Sequence, residues 1–365
     1  MSSRGAKVGA LVAAVLVLVG VLLYAGTLGV LTGAVQPGPR ASSALSTVEP
    51  SAAIGSPTTG PRVPGTTGLP GTTGSPTVVF PTTVQLSTPS GDVVWALVGA
   101  NLLFRSIDRG ETWLERPLPP SAPNLEQAFV SEREGFISSA GSRATQCLFQ
   151  SIQIWRTADG GSSYERLPAT GIAEGQCKAG LSFVDAQHGF ISAWSQSSAP
   201  VVYRTSDGGQ SWAPSRPLPD PPGFTTQPSA SSLQVGPGPI RAFGSTLLLQ
   251  AVGNVLSGER HFIFRSVDGG ATWSYLAAVP IPAPVAFVTA TRWIQVRLQG
   301  LSQETTDAGA TWHAFAADYG QASPYAPVVI FPDPEVGYAT NSRGGFQRTV
   351  DGGLHWRSLK TPGCC

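Results

Sequence analysis

Ser106-Ile107-Asp108-Arg109-Gly110-Glu111-Thr112-Trp113 is the first of six phrases of the form S/T-x-D-x-G-x-x-W in this 365-residue chain. The second, Thr157 to Tyr164, is built on Asp159 and carries Tyr in place of Trp. Four more follow: Thr205–Trp212 with Asp207, Ser266–Trp273 with Asp268, Thr305–Trp312 with Asp307, and Thr349–Trp356 with Asp351. Successive aspartates are 51, 48, 61, 39 and 44 residues apart. A recurring strand-turn-strand unit of this period predicts an all-β ring of blades, a β-propeller. Six copies predict six blades, with seven as the alternative.

Each residue of the phrase has a turn to make. Runs rich in β-branched and aromatic residues, such as Leu102-Leu103-Phe104-Arg105 and His261-Phe262-Ile263-Phe264-Arg265, precede it and read as strands. The Asp can accept hydrogen bonds from amides of its own turn, expected to be buried. The Gly supplies a positive φ. Trp113, Trp212, Trp273, Trp312 and Trp356 open the next strand and can lay their rings on the turn. All of these are structural tasks, and none requires a catalytic aspartate.

The phrase resembles the Asp-box, or bacterial neuraminidase repeat, of sialidases, sortilin-type receptors, xyloglucanases and photosystem II assembly-factor propellers. The resemblance covers about residues 80–365 and implies a sialidase-like fold. It says little about activity, because such repeats occur in enzymes and binders alike. A second repeat brings the pattern closest to the assembly-factor type. Phe129-Val130-Ser131-Glu132-Arg133-Glu134-Gly135-Phe136, Phe183 to Phe190 and Phe331 to Tyr338 each look like the first hairpin of such a blade. Phe287 to Trp293 lacks the Gly, and the fourth blade is irregular around Val235-Gly236-Pro237-Gly238.

Residues 1–7 read as a cytoplasmic N-terminus with Arg4 and Lys7. The run 8–31 is 24 residues without a charge, long enough to cross a bilayer as an uncleaved signal-anchor. A cleaved signal is the competing reading. Residues 32–79 are a linker rich in Pro, Thr, Ser and Gly, with too little apolar surface to offset chain entropy. As a random chain, 36–79 spans about 35–40 Å. It is either a spacer through a cell wall or a linker with no such task. The expectation is a single-pass protein of the cell membrane with residues 80–365 outside.

Formal net charge is +1, and no basic run or aromatic-basic interleaving points to nucleic acid. No Cys or His ladder points to a metal, and no cofactor motif is present. With strands A to D running outward from the axis, both repeats fall on one face. The B–C and D–A loops fall on the other, where propellers usually bind. Cys147 in the second blade's B–C region and Cys177 in the D–A connection leaving it share that face, so a disulfide is expected in an oxidising compartment, against two free thiols. Cys364 and Cys365 are adjacent and pair only with strain, leaving reactive thiols or an intermolecular link open. The variable stretches are Ser139 to Cys147, Ala173 to Lys178, Asp220 to Ser231 and Asn254 to Arg260. Arg143, Lys178, Asp220 and Arg260 are their candidate ligand-binding groups.

The resemblance implies, for a sialidase, three arginines on a carboxylate, a Tyr nucleophile with a Glu partner, an Asp acid and an Arg-Ile-Pro phrase. This chain has no such phrase, and Arg105, Arg156, Arg204, Arg265 and Arg348 recur at one repeat position. His188, His261, His313 and His355 are scattered without a partner evident in sequence. Among Glu126, Glu174, Asp220, Glu259 and Asp318, no spacing selects a catalytic pair. The reading is therefore a membrane-anchored extracellular module that binds or scaffolds a protein or glycan. An exo-acting glycosidase is the alternative, and a cell-envelope assembly factor the third.

Overall fold

A computed structural model describes residues 83–363 apart from 121–123, 142–146, 196–197, 225–232, 236–238, 256–257, 299, 321–326 and 342–344. The run 8–31, the linker 32–79, Arg143 and the terminal cysteines lie outside the described residues. Among the described residues no helix is long and apolar enough to cross a membrane.

The strands form six antiparallel sheets. Blade 1 is Val84–Ser87, Val94–Val98, Leu102–Ser106 and Leu114–Arg116. Blade 2 is Leu125–Phe129, Gly135–Ala140, Ile152–Thr157 and Glu165–Leu167, and blade 3 is Cys177–Phe183, Gly189–Trp194, Val201–Thr205 and Ala213–Pro214. Blade 5 is Ala286–Phe287, Trp293–Gln295, Gln303–Thr305 and His313–Ala314, and blade 6 is Val328–Ile330, Gly337–Thr340, Phe346–Thr349 and Arg357–Leu359. Each pairs in chain order A-B-C-D. Blade 4 differs, as its irregular sequence suggested. Its first strand is broken into Leu233–Val235 and Arg241–Phe243, both paired with the ten-residue strand Thr246–Val255, which continues into Gly258–Ser266 and Ser274–Val279.

The aspartate turns join strands C and D, and their chemistry is the same in every blade. The leading Ser or Thr is buried in all six: Ser106, Thr157, Thr205, Ser266, Thr305 and Thr349. Its hydroxyl donates to the Asp carboxylate and accepts the N–H of the Gly two residues beyond the Asp, as in Thr305 Oγ1 to Asp307 at 2.8 Å and Gly309 N–H to Thr305 Oγ1 at 2.9 Å. The carboxylate then accepts the amide and side chain four residues on, for example Thr311 at 2.9 and 2.6 Å. This corrects one expectation: the carboxylate serves an exposed amide, and the hydroxyl serves the inner one. Two successive left-handed residues make the turn. The first can be Arg109 or Ala308, but the second is always Gly. At Gly309, φ is 86° and a Cβ would come within 2.8 Å of the Trp293 ring.

The turn is tied to the A–B hairpin of its own blade. The amide after the Asp donates to a carbonyl there in five blades: Arg109 to Asp92, Gly160 to Arg133, Gly208 to Gln187, Ala308 to Thr291 and Gly352 to Glu335. Both repeats therefore occupy one face. The Gly of the second repeat has a packing cause. A Cβ on Gly135, Gly189 or Gly337 would lie within 2.5 Å of the ring of Phe129, Phe183 or Phe331. The ring lies over the bare Cα and stacks on the neighbouring blade, Trp95 on Phe129 at 3.6 Å and Phe136 on Phe183 at 3.5 Å. In blade 5 Trp293 stands at the Gly position, and Phe287 meets it edge-on at 5.4 Å.

No strand is exchanged to close the ring, since every strand of blade 6 follows blade 5 and every strand of blade 1 precedes blade 2. Side chains make the seam. Val94 packs with Val336, Tyr338 and Phe346. Tyr338 donates to Gly91 O at 2.6 Å, Thr340 to Val84 O at 3.2 Å and Trp113 Nε1 to Lys360 O at 3.2 Å.

Thr305→Ala leaves the Gly309 amide without its acceptor and is expected to lower stability by about 1–3 kcal/mol, with a smaller loss for Asp307→Ala; chemical denaturation of both variants checks the order. Asp207, Asp268 and Asp307 are held down to about 2, chiefly by the side-chain hydrogen bonds from Ser211, Thr272 and Thr311. Carboxyls lowered on folding stabilise above their unfolded value of about 3.9 and lose that contribution as pH falls through the folded value. Thermal melting should therefore drop between about pH 4 and pH 2, and less steeply in a variant with these three aspartates changed to Asn.

A pinned apolar tip as the candidate functional site

The face opposite the aspartate turns is where the blades depart from the repeat. One irregular feature there joins the B–C loop of blade 2, at 147–150, to the first strand of blade 3. Cys147 and Cys177 are disulfide-bonded, with Cα atoms 5.0 Å apart. Cys147 is buried and left-handed, at φ 63°. Gln150 closes the turn through its amide to Cys147 O at 3.0 Å and its Nε2 to Gly141 O at 2.8 Å. Its Oε1 accepts the Lys178 amide at 2.7 Å.

Lys178 is the main revision among the expected ligand groups. It is buried rather than presented to solvent. Its ammonium donates to Gln150 O and Gln176 O, both at 2.8 Å. Burial pushes it down to about 8, against an opposing pull from Glu174. Lys178 thus clamps the blade 2 loop to blade 3. Asp220 is exposed in the D–A connection after blade 3, and Arg260 is exposed at the start of the third strand of blade 4, paired with Gly253.

What the clamp holds out is apolar. Leu148 is 59% and Phe149 82% exposed, between the disulfide and Gln150. A flexible loop exposes such side chains at little cost, but this turn is fixed at both ends by a covalent bond and three hydrogen bonds. Leu148 and Phe149 were not among the candidate residues. The available signal was two large apolar residues directly after a loop cysteine, where the repeat calls for none.

Three of the five regular arginines are committed elsewhere. Arg105 reaches Glu132 at 3.2 Å, Arg156 reaches Glu134 at 2.8 Å, and Arg348 reaches Glu111 at 3.1 Å and Arg109 O at 2.8 Å. All belong to the aspartate-turn face. A shallow cleft there, lined by Arg348, Asp351, His355, Trp356 and Arg357, has both arginines paired with Glu111. Three histidines have carboxylate partners that the sequence did not reveal. His188 meets Asp185 at 2.9 Å, His261 meets Glu259, and His355 meets Asp351 at 2.6 Å. The hydrogen bond to Asp351 raises His355 above its ordinary value. Of the loop carboxylates, Glu126 accepts the Leu181 amide at 2.9 Å and Asp318 the Trp356 amide at 2.8 Å. Among the described residues no group of His, Cys, Asp or Glu could hold a metal ion.

No family model matches this chain, and no curated protein matches it. Solved structures do. A Hadza microbial sialidase, Hz136, is 15% identical over 74% of this chain and 66% of its own, with a TM-score of 0.51. The YCF48 of Cyanidioschyzon merolae is 17% identical over 77% of this chain and 86% of its own, at 0.41. A YCF48 bound to a D1 peptide is 15% identical over 76% and 80%, at 0.42. At such identities the likeness is one of fold, and the fold is a sialidase-like six-bladed propeller.

Exported protein is expected to yield Cys147 and Cys177 as one cross-linked peptide in a non-reduced digest, and two freely alkylated cysteines would contradict it. Because the bond closes a loop of about 30 residues, its removal should cost about 2–4 kcal/mol and open the turn around Phe149 to protease.

Proposed function

We propose that this chain is an Asp-box propeller of the cell envelope, anchored in the membrane by residues 8–31, that binds a macromolecular partner through the face formed by its B–C and D–A loops. The observation that carries the reading is the Leu148–Phe149 tip. Large aromatic side chains on preorganised loops are the usual energetic centres of protein interfaces. The side chains of the tip stand exposed, which suits the surface of a protein or glycan better than the enclosure of a small substrate. Asp220 and Arg260 supply polar groups on the same face.

The glycosidase reading requires a convergent acid, base and nucleophile. Arg105, Arg156, Arg348, Glu126 and Asp318 are spent on contacts between turns and blades, which favours binding. An envelope assembly factor remains a form of the binding reading, since it too acts by holding partners.

The purified full chain is expected to leave fluorogenic sialosides and aryl glycosides intact. It should also capture an envelope protein or glycan whose retention falls by tenfold or more, about 1.4 kcal/mol or greater, in Phe149→Ser. Hydrolysis abolished by changing one loop carboxylate would replace this reading with the glycosidase. Capture unaffected by Phe149→Ser and by exchange of Asp220 and Arg260 would move the site to the other face.

A further inference from the structure

The pairing register sets one inner-strand residue of each blade level with the strand C residue that precedes the leading Ser or Thr. In blades 1, 2, 3, 5 and 6 that residue is Ser87, Ala128, Ser182, Ala286 and Ile330. In blade 4 it is Arg241, paired with Leu248, which pairs in turn with Arg265. Two of the others show where this position points. Ser87 Oγ donates to Gln127 O at 3.4 Å, and Ser182 Oγ accepts the Ile240 amide at 3.2 Å, so each serine meets the inner strand of the following blade. Arg241 reaches one blade further. Its Nη2 donates to the carbonyl of Phe331, which directly follows the inner strand of blade 6. Blade 5 stands between, with only the methyl group of Ala286 at this level. The Arg241 side chain therefore crosses the inner end of blade 5, through the centre of the ring.

No anion of the ring meets it there. Among the described residues six arginines form ion pairs, and Arg241 is not one of them. Every Asp and Glu of residues 83–365 belongs to the described residues, so no acidic side chain of the ring is left out of that comparison. Glu126, the one acid on the described inner strands, accepts the Leu181 amide at 2.9 Å. The Nε of Arg241 is buried and has no acceptor, while the residue as a whole keeps partial access to solvent. Burial pushes the guanidinium down to about 10. Taking a cation out of water is costly unless an anion replaces the water, and one neutral carbonyl replaces little of it. A neutral side chain could span the same blades without that cost.

We propose that Arg241 binds a carboxylate in the centre of the ring, near its aspartate-turn end. The A–B turn of blade 4, at Gly244 and Ser245, follows only three residues on, which sets the site close to that mouth. A guanidinium carries five N–H donors in a plane, and Phe331 O takes one and fixes the fork. The donors that remain, Nε among them, match the two oxygens of a carboxylate side by side. The charge of the ligand follows from the count of cations. Arg241 is the one cation among the six residues at its level, which suits a single negative charge better than the double charge of phosphate or sulfate. The carboxylate belongs either to a small organic acid or to the end of a peptide chain. The site lies at the opposite end of the ring from the Leu148–Phe149 tip and does not depend on what that tip binds.

The test titrates the full chain in detergent with acetate, with acetylglycylglycine, with the amide of that peptide and with phosphate, at constant ionic strength set by chloride. Calorimetry is expected to show saturable binding of one carboxylate per chain, weakened at least about tenfold in Arg241→Met and unchanged in Arg265→Met. In the unaltered chain the proton–nitrogen NMR signal of the Arg241 Nε, identified by its loss in Arg241→Lys, should move to saturation with the same midpoint, which keeps the test decisive even where Arg241→Met does not fold. Binding of acetate alone assigns the site to small acids, and binding of the free peptide alone assigns it to chain ends. Saturation by neither carboxylate, by phosphate only, or equally by the peptide and its amide would overturn the proposal. So would binding that leaves the Nε signal in place.

Discussion

The hydroxyl that opens each aspartate turn is the constraint on which the ring depends. Two consecutive left-handed residues turn the chain back at the outer end of strand C, and the Gly amide made there points inward, away from water. Without an acceptor it would be a buried orphan in five blades and a half-buried one at Gly309. The buried Ser or Thr supplies that acceptor and is itself oriented by the aspartate. The amide between the Asp and that Gly reaches the A–B hairpin in five blades, so their outer and inner halves are tied on one face. Repeated around the ring, this makes a rigid base that closes without sharing a strand.

That base absorbs the charged groups a reader would first suspect of chemistry. Arg105, Arg156 and Arg348 bridge turns of the aspartate face. His355 takes the place of Ser or Thr within a turn and makes the same contact with its aspartate. On the opposite face loop length and composition vary. There the disulfide, Gln150 and Lys178 tie one irregular turn to the next blade, and what it presents is a phenylalanine.

Much of the fold was legible because the repeat is a local device. The phrase around each Asp carries its own turn geometry, and six copies at a propeller period leave few architectures. The role of the second-repeat glycines was not legible. Gly135 was visible as a pattern, but its cause is a Phe129 ring pressed on its Cα and stacked on Trp95 of the preceding blade, which no local reading contains. The division of labour between hydroxyl and carboxylate was missed for a related reason, since burial separates two acceptors that look equivalent in sequence. At the candidate site, Lys178 has the residue type of a ligand group, and only the packing around Gln150 shows that it faces inward. Phe149 was passed over because apolar residues in loops are common, and their exposure is a property of the fold.

Native-state hydrogen exchange, read residue by residue, tests the central claim most directly. The amides of Gly110, Gly161, Gly209, Gly270, Gly309 and Gly353 should exchange with the slowest class of strand amides. Those of Thr112, Ser163, Ser211, Thr272, Thr311 and His355, held by the carboxylates at the surface, should exchange sooner. If the glycine amides exchange first while the surface amides stay protected, the hydroxyl is not what holds the turns, and this account of the ring is wrong.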